Sequence, residues 1–147
     1  MGTRAVFTFK DSNDTFSVYK HWDGYPEGAA NFLTNAFDFA WKLPRFEAAD
    51  FAAAFIAANK TAGGNVYLTT DAELHGDLSY HYIISSSDRN GQLIIDVYDY
   101  CMVNSTQLAQ RFYYGRLKEF INTYGSNEDK IKWNSHDNSE NKLKVEA

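Results

Sequence analysis

Apolar and polar positions partly alternate over residues 5–11, turn formers gather at Asp11-Ser12-Asn13-Asp14, and alternation resumes from Thr15 to Trp22, which predicts a β-hairpin. Strand side chains alternate between faces, so Phe16, Val18 and Trp22 share one side and Ser17, Tyr19, His21 and Asp23 the other. Beyond Gly28 the period changes. Ala29, Phe32, Leu33, Ala36, Phe37, Ala40 and Trp41 recur at three- and four-residue spacing, predicting a helix that Pro44 stops. Ala48, Phe51, Ala52, Phe55 and Ile56 form a second stripe, ended by Gly63-Gly64, and its wealth of alanine lets that helix lie close to a sheet. Val66–Thr69 reads as a short strand. Residues 78–85 and 92–100 read as two longer strands joined across Asn90-Gly91, a strong turn signal. Asn104 with Gln107 has the form of a capping box, and Ala109, Tyr113, Leu117, Phe120 and Ile121 then have helical spacing up to Gly125.

The order β-β-α-α-β-β-β-α predicts an α+β fold, an antiparallel sheet of about five strands with three helices, the place of the Val66 strand being open. One domain is expected over residues 1–125, followed by a polar tail, 126–147, that is mobile or weakly docked. A chain of 147 residues can bury roughly 68–70% of its unfolded surface, and 11 phenylalanines with 10 tyrosines supply the material for a core. The net charge of −5, without a lysine and arginine stripe, argues against direct nucleic-acid binding, and no apolar run approaches the ~18–20 residues that span a bilayer. Cys101 stands alone, which rules out an intrachain disulfide; it is expected as a small buried hydrophobe. The start Met1-Gly2-Thr3-Arg4 leads straight into a strand pattern with no signal-peptide run, pointing to the cytoplasm.

Chemistry concentrates at His21-Trp22-Asp23-Gly24-Tyr25-Pro26-Glu27-Gly28, a strand-to-helix corner whose two glycines and fixed proline φ make it a specified turn. Its His-x-Asp spacing recurs at His75-Gly76-Asp77. Residues two apart on a strand point the same way, so the two pairs could share a pocket if the strand ends adjoin. The candidate ligand-binding set is His21, Trp22, Asp23, Tyr25, His75, Asp77 and Tyr80. Four imidazole and carboxylate groups could also hold a divalent metal or work on a phosphate ester, but the aspartates and glycines serve equally as turn formers, and no catalytic residue, metal ligand or cofactor is assigned. The paired motifs of the two-histidine phosphoesterases place a hydroxyl where Asp23 and Asp77 stand here, and a carboxylate there repels phosphate. A separate candidate is the strand face carrying Asp96, Tyr98 and Tyr100, opposite Ile95, Val97 and Asp99: tyrosine gives large contact area at low entropic cost, which suits a partner surface.

The corner motif, together with Tyr67-Leu68-Thr69-Thr70 and the segment His75-Gly76-Asp77-Leu78-Ser79-Tyr80-His81-Tyr82, resembles small uncharacterised proteins encoded by phages and prophages, over residues 5–100. That resemblance implies an accessory protein that binds and modulates a host protein, defence systems included, and brings no catalytic residues. The expected function is therefore non-enzymatic binding of a host protein. The alternatives are a nucleotide-like small ligand held at the His21 and His75 corner and a metal-dependent phosphoesterase.

Overall fold

The protein is described by a computed structural model over residues 3–41, 46–86 and 92–135. Strands β1 (Ala5–Lys10) and β2 (Thr15–Lys20) form the expected antiparallel hairpin. Asp11 makes its turn: Oδ1 accepts the backbone N–H groups of Asn13 at 2.9 Å and Asp14 at 2.8 Å. The other carboxylate oxygen accepts the N–H of Ala48 at 2.8 Å, where helix α2 (Ala48–Asn59) begins. One aspartate thus closes a hairpin and supplies an acceptor to a helix N-terminus that its neighbour Glu47 leaves uncapped. Helix α1 (Pro26–Phe39) precedes α2 and ends two residues short of Trp41, which is exposed. Pro44 and the Asn90-Gly91 turn lie outside the described residues.

The remaining strands are β3 (Val66–Thr69), β4 (Tyr80–Ser86), β5 (Leu93–Val103) and β6 (Thr106–Arg116), with a 3₁₀ turn at Ala72–Leu74 and helices α3 (Leu117–Tyr124) and α4 (residues 127–135). The sheet has six strands in the order β3-β2-β1-β4-β5-β6 and is mixed, because β1 and β4 run parallel. Five antiparallel strands were expected. The parallel pair arises because β3 lies antiparallel to β2 and so points along β1, and the chain must return the length of the sheet before β4 can start on the other side of β1. That return, residues 70–79, crosses the face that carries no helix and seats Ala72 and Leu78 against Val6 and Tyr19.

The sixth strand is the part of the sequence read as the start of the last helix. Asn104 and Ser105 take φ of 51° and 68°, a two-residue hairpin turn, so Val103 pairs with Thr106 and the chain runs back along β5 as far as Arg116. Helix therefore begins only at Leu117. Asparagine tolerates positive φ, and this local freedom outweighed the capping pattern.

Helices α1, α2 and α3 pack on one sheet face. Phe7 is the hub of that core, stacked on Tyr82 at 4.8 Å and meeting Phe55 at 4.6 Å and Phe32 edge-on at 6.5 Å, with Phe9 set against Phe51 and Phe55 beside it. The stretch read as a polar tail from Ser126 carries a docked helix. Ser126 and Asp129 exchange capping hydrogen bonds at 3.1 Å each, Asp129 accepts the Asn31 amide of α1 at 2.9 Å, and Trp133, 6% exposed, packs on Phe37. Residues 136–147 lie outside the described part.

Candidate functional site

The corner after β2 is built on contacts that only glycine permits. Gly24 lies flush on β1, its N–H donating to the Thr3 carbonyl at 2.8 Å, and a Cβ there would come within 2.6 Å of the Ala5 side chain. Gly28, in the first turn of α1, would drive a Cβ onto the Asp23 carbonyl oxygen. Asp23 itself sits at φ 61°, a left-handed conformation that short polar side chains tolerate. Two buried side chains brace the bend from the helix side: the Tyr82 hydroxyl donates to the Gly24 carbonyl at 2.6 Å, and the Lys20 ammonium donates to the Trp22 carbonyl at 3.0 Å while lying over the Phe32 ring at 4.4 Å. Burial raises the Tyr82 phenol and lowers the Lys20 ammonium from their ordinary pKa values. The corner is a rigid elbow.

On the helix-free face the two histidine motifs meet on one side chain, Tyr19, which is 4% exposed. Its hydroxyl bonds His21 Nδ1 at 2.9 Å, and the His75 ring stacks on it with centroids 4.5 Å apart, while His75 Nε2 bonds the Thr69 hydroxyl at 2.8 Å. Tyr67 stacks on Tyr19 at 4.7 Å, and Trp22 meets His21 edge-on at 5.0 Å. Asp77 pairs with Arg4 at 3.1 Å. Burial foremost, then the negative charge of Asp77, holds the Tyr19 phenol above its ordinary pKa, with Arg4 acting the other way, so the ring stays protonated and serves as a hydrogen-bonding hub.

Of the seven residues expected to bind a ligand, His21, Trp22, His75 and Asp77 are thus brought around Tyr19. Asp23 and Tyr25 are exposed on the elbow, Tyr25 immediately before α1. Tyr80 stands apart: it faces the helices, stacks near Tyr82 at 5.8 Å and meets Phe112 edge-on, because its strand parity is that of the core. Among the described residues no three His, Cys, Asp or Glu side chains gather closely enough to hold a metal ion.

Asp96, Tyr98 and Tyr100 share the helix-free face as period two requires, and Tyr100 packs against the Val6 and Tyr19 cluster. The charge of Asp96 on that face is neutralised. Arg111, three residues before Tyr114 on β6, grips Asp96 with two 3.0 Å hydrogen bonds, donates to the Tyr98 hydroxyl at 3.1 Å and lies over the Tyr114 ring. Cys101, expected inside, is exposed, because β5 outruns β4 and leaves its last residues uncovered.

Cross-strand register joins these groups into one band: Tyr67, Tyr19, Val6, His81, Tyr98 and Arg111 stand on neighbouring strands in that order, from β3 to β6. Sequence reading had not singled out Tyr19, His81 or Arg111 for this site. The signal available was parity, since each falls on the polar side of its strand. His81 bonds the Thr8 hydroxyl at 2.7 Å, which also bonds Ser17, and burial pushes its imidazole down to about 4.

The fold and band define an α+β domain, helices on one side of a mixed sheet and, on the other, an aromatic, hydrogen-bonded face covered in part by residues 70–79. Set against known protein families, curated proteins and solved structures, the chain matches none. No described helix is long and apolar enough to cross a membrane.

Proposed function

We propose that this domain is a non-enzymatic binding protein that recognises a partner protein through its helix-free sheet face. The observation that carries the reading is the open end of that face, where Arg111 grips Asp96, donates to the Tyr98 hydroxyl and lies over Tyr114, itself 62% exposed, whereas residues 70–79 cover the band's middle at Val6 and Tyr19. Tyrosine and arginine are the residue types that dominate binding energy at protein interfaces. The groups that chemistry would need are engaged in holding the face together: His21 on Tyr19, His75 on Thr69, His81 on Thr8, Asp77 on Arg4 and Asp96 on Arg111. The phage and prophage proteins that the elbow resembles favour a host protein as the partner.

Immobilised wild-type protein should retain a partner from host lysate, and Tyr98→Ala or Arg111→Ala should weaken its recovery at least about 10-fold, the size expected for removing an interface anchor. Undiminished recovery by both variants would remove this face from the proposal.

A second reading, a small-ligand site, draws on the convergence of His21, Trp22, His75 and Asp77 around Tyr19. A nucleotide at 100 times its dissociation constant should then stabilise the fold by about 2.7 kcal/mol, visible as a rise in Tm that Trp22→Ala abolishes. A nucleotide panel that leaves Tm unmoved discards it.

A further inference from the structure

We infer that the outer edge of β6 is a dimer interface, pairing antiparallel with the same edge of a second copy of this chain. The sheet has two edges, and they differ. β3 is four residues long, and shortness of this kind keeps an edge from templating another strand. β6 is eleven residues long, contains no proline and is largely exposed. Its C-terminal half is twisted by a bulge where Val97 and Tyr98 face Tyr113 and Arg111, leaving Phe112 between them. Its first half, from Thr106 to Arg111, has no such device.

That half belongs to a ribbon that the rest of the sheet does not support. β4 pairs with β5 only as far as Asp99, so Cys101–Val103 and Thr106–Leu108 have sheet partners only in each other among the described residues, and Val103 and Leu108 are each 47% exposed. Two-stranded ribbons are marginal in water. Residues 100–110 are also the longest stretch of the chain without Asp, Glu, Lys or Arg. For a molecule of net charge −5, this is where two copies meet with least repulsion.

Hydrogen-bond parity says which groups are offered. Tyr100 turns its N–H away from β6 to the Ser79 carbonyl at 3.0 Å, so its partner Ala109 turns its own N–H and C=O to the open edge, and Gln107 and Arg111 follow by period two. A two-fold axis through Ala109 then sets Ala109 against its own copy and Gln107 against Arg111. No like charges are opposed, and Arg111 already has Asp96 as its counter-ion. Such an axis stands perpendicular to the sheet, so the helix-free faces of both copies join into one surface.

Sedimentation velocity of the full chain tests this. Wild type at about 1 mM should sediment with twice the 16.7 kDa chain mass and dissociate on dilution. Ala109→Pro removes an outward N–H without touching the β5 ladder, and Ala109→Lys sets two ammonium groups across the axis. Each should return the protein to single-chain mass, with far-ultraviolet circular dichroism and Tm confirming that the fold is kept. Single-chain mass for wild type at about 1 mM, or a dimer that survives in folded Ala109→Lys, overturns the proposal.

Discussion

Gly28→Ala should cost the fold at least about 3 kcal/mol, the upper range for forcing atoms into a packed site, because the added Cβ lands on the Asp23 carbonyl oxygen. Backbone must move to admit it, and both sides are held. Asp23 is fixed in a left-handed conformation between Gly24, pinned to Thr3 and Tyr82, and the first turn of α1, whose Ala29 and Leu33 are fully buried. Domains of this kind have about 5–15 kcal/mol in all, so the change removes a large share of it. In urea the midpoint should fall by about 1–3 M. Gly76→Ala is the matched control. Its Cβ meets no heavy atom within 4 Å, and its unfolding free energy should stay within about 0.5 kcal/mol of wild type. A Gly28→Ala protein that melts with wild type would mean that the elbow is not rigid.

Acid should destabilise the protein through His81. Its imidazole is pushed down to about 4 by burial beneath the helix-free face, more than the nearby charges of Asp71 and Asp96 can offset, against an ordinary value near 6.5. The folded pKa lies below the unfolded one, so below about pH 6.5 the unfolded chain takes up a proton that the folded chain refuses. The contribution is whole above pH 6.5, is lost as pH falls towards 4, and amounts to about 3 kcal/mol at most. His81→Gln keeps a partner for Thr8 but cannot titrate. Between pH 7 and pH 4.5 the unfolding free energy from urea titration should therefore fall further for wild type than for the variant, by about 2–3 kcal/mol. Parallel pH profiles for the two would show that His81 titrates normally in the folded state.

Much of the local structure was legible from periodicity. The first hairpin, the stripes of α1 and α2 and the antiparallel pairing of β4 with β5 follow from spacing alone, and period two correctly set Asp96, Tyr98 and Tyr100 on one face with Ile95 and Val97 on the other. The elbow showed itself through two glycines and a proline. What misled was a segment with two local solutions: Asn104 to Gln107 satisfies a capping box, and Ala109, Tyr113 and Leu117 stand four apart, yet Asn104 and Ser105 also accept the positive φ of a tight hairpin turn. Strand β5 beside it offers a full ladder of hydrogen bonds, and that decided for β6. The helix at 127–135 was missed for the opposite reason: its capping pattern was present in Ser126 and Asp129, but its polar composition outweighed it, and only Phe37 and Asn31 give Trp133 and Asp129 their places.

By itself, then, the sequence determined the turn of the first hairpin, which way the side chains of β1, β4 and β5 face, and that residues 21–28 bend sharply. Tertiary structure decided who stands next to whom: the parallel pairing of β1 with β4, the crossing of residues 70–79 that carries His75 onto Tyr19, and the row that lines up Tyr67 with Arg111. The physical reason is that periodicity is a property of neighbouring residues. Strand order is fixed by contacts between residues far apart in the chain, such as Thr8 and His81, whose energies appear only once the core has closed.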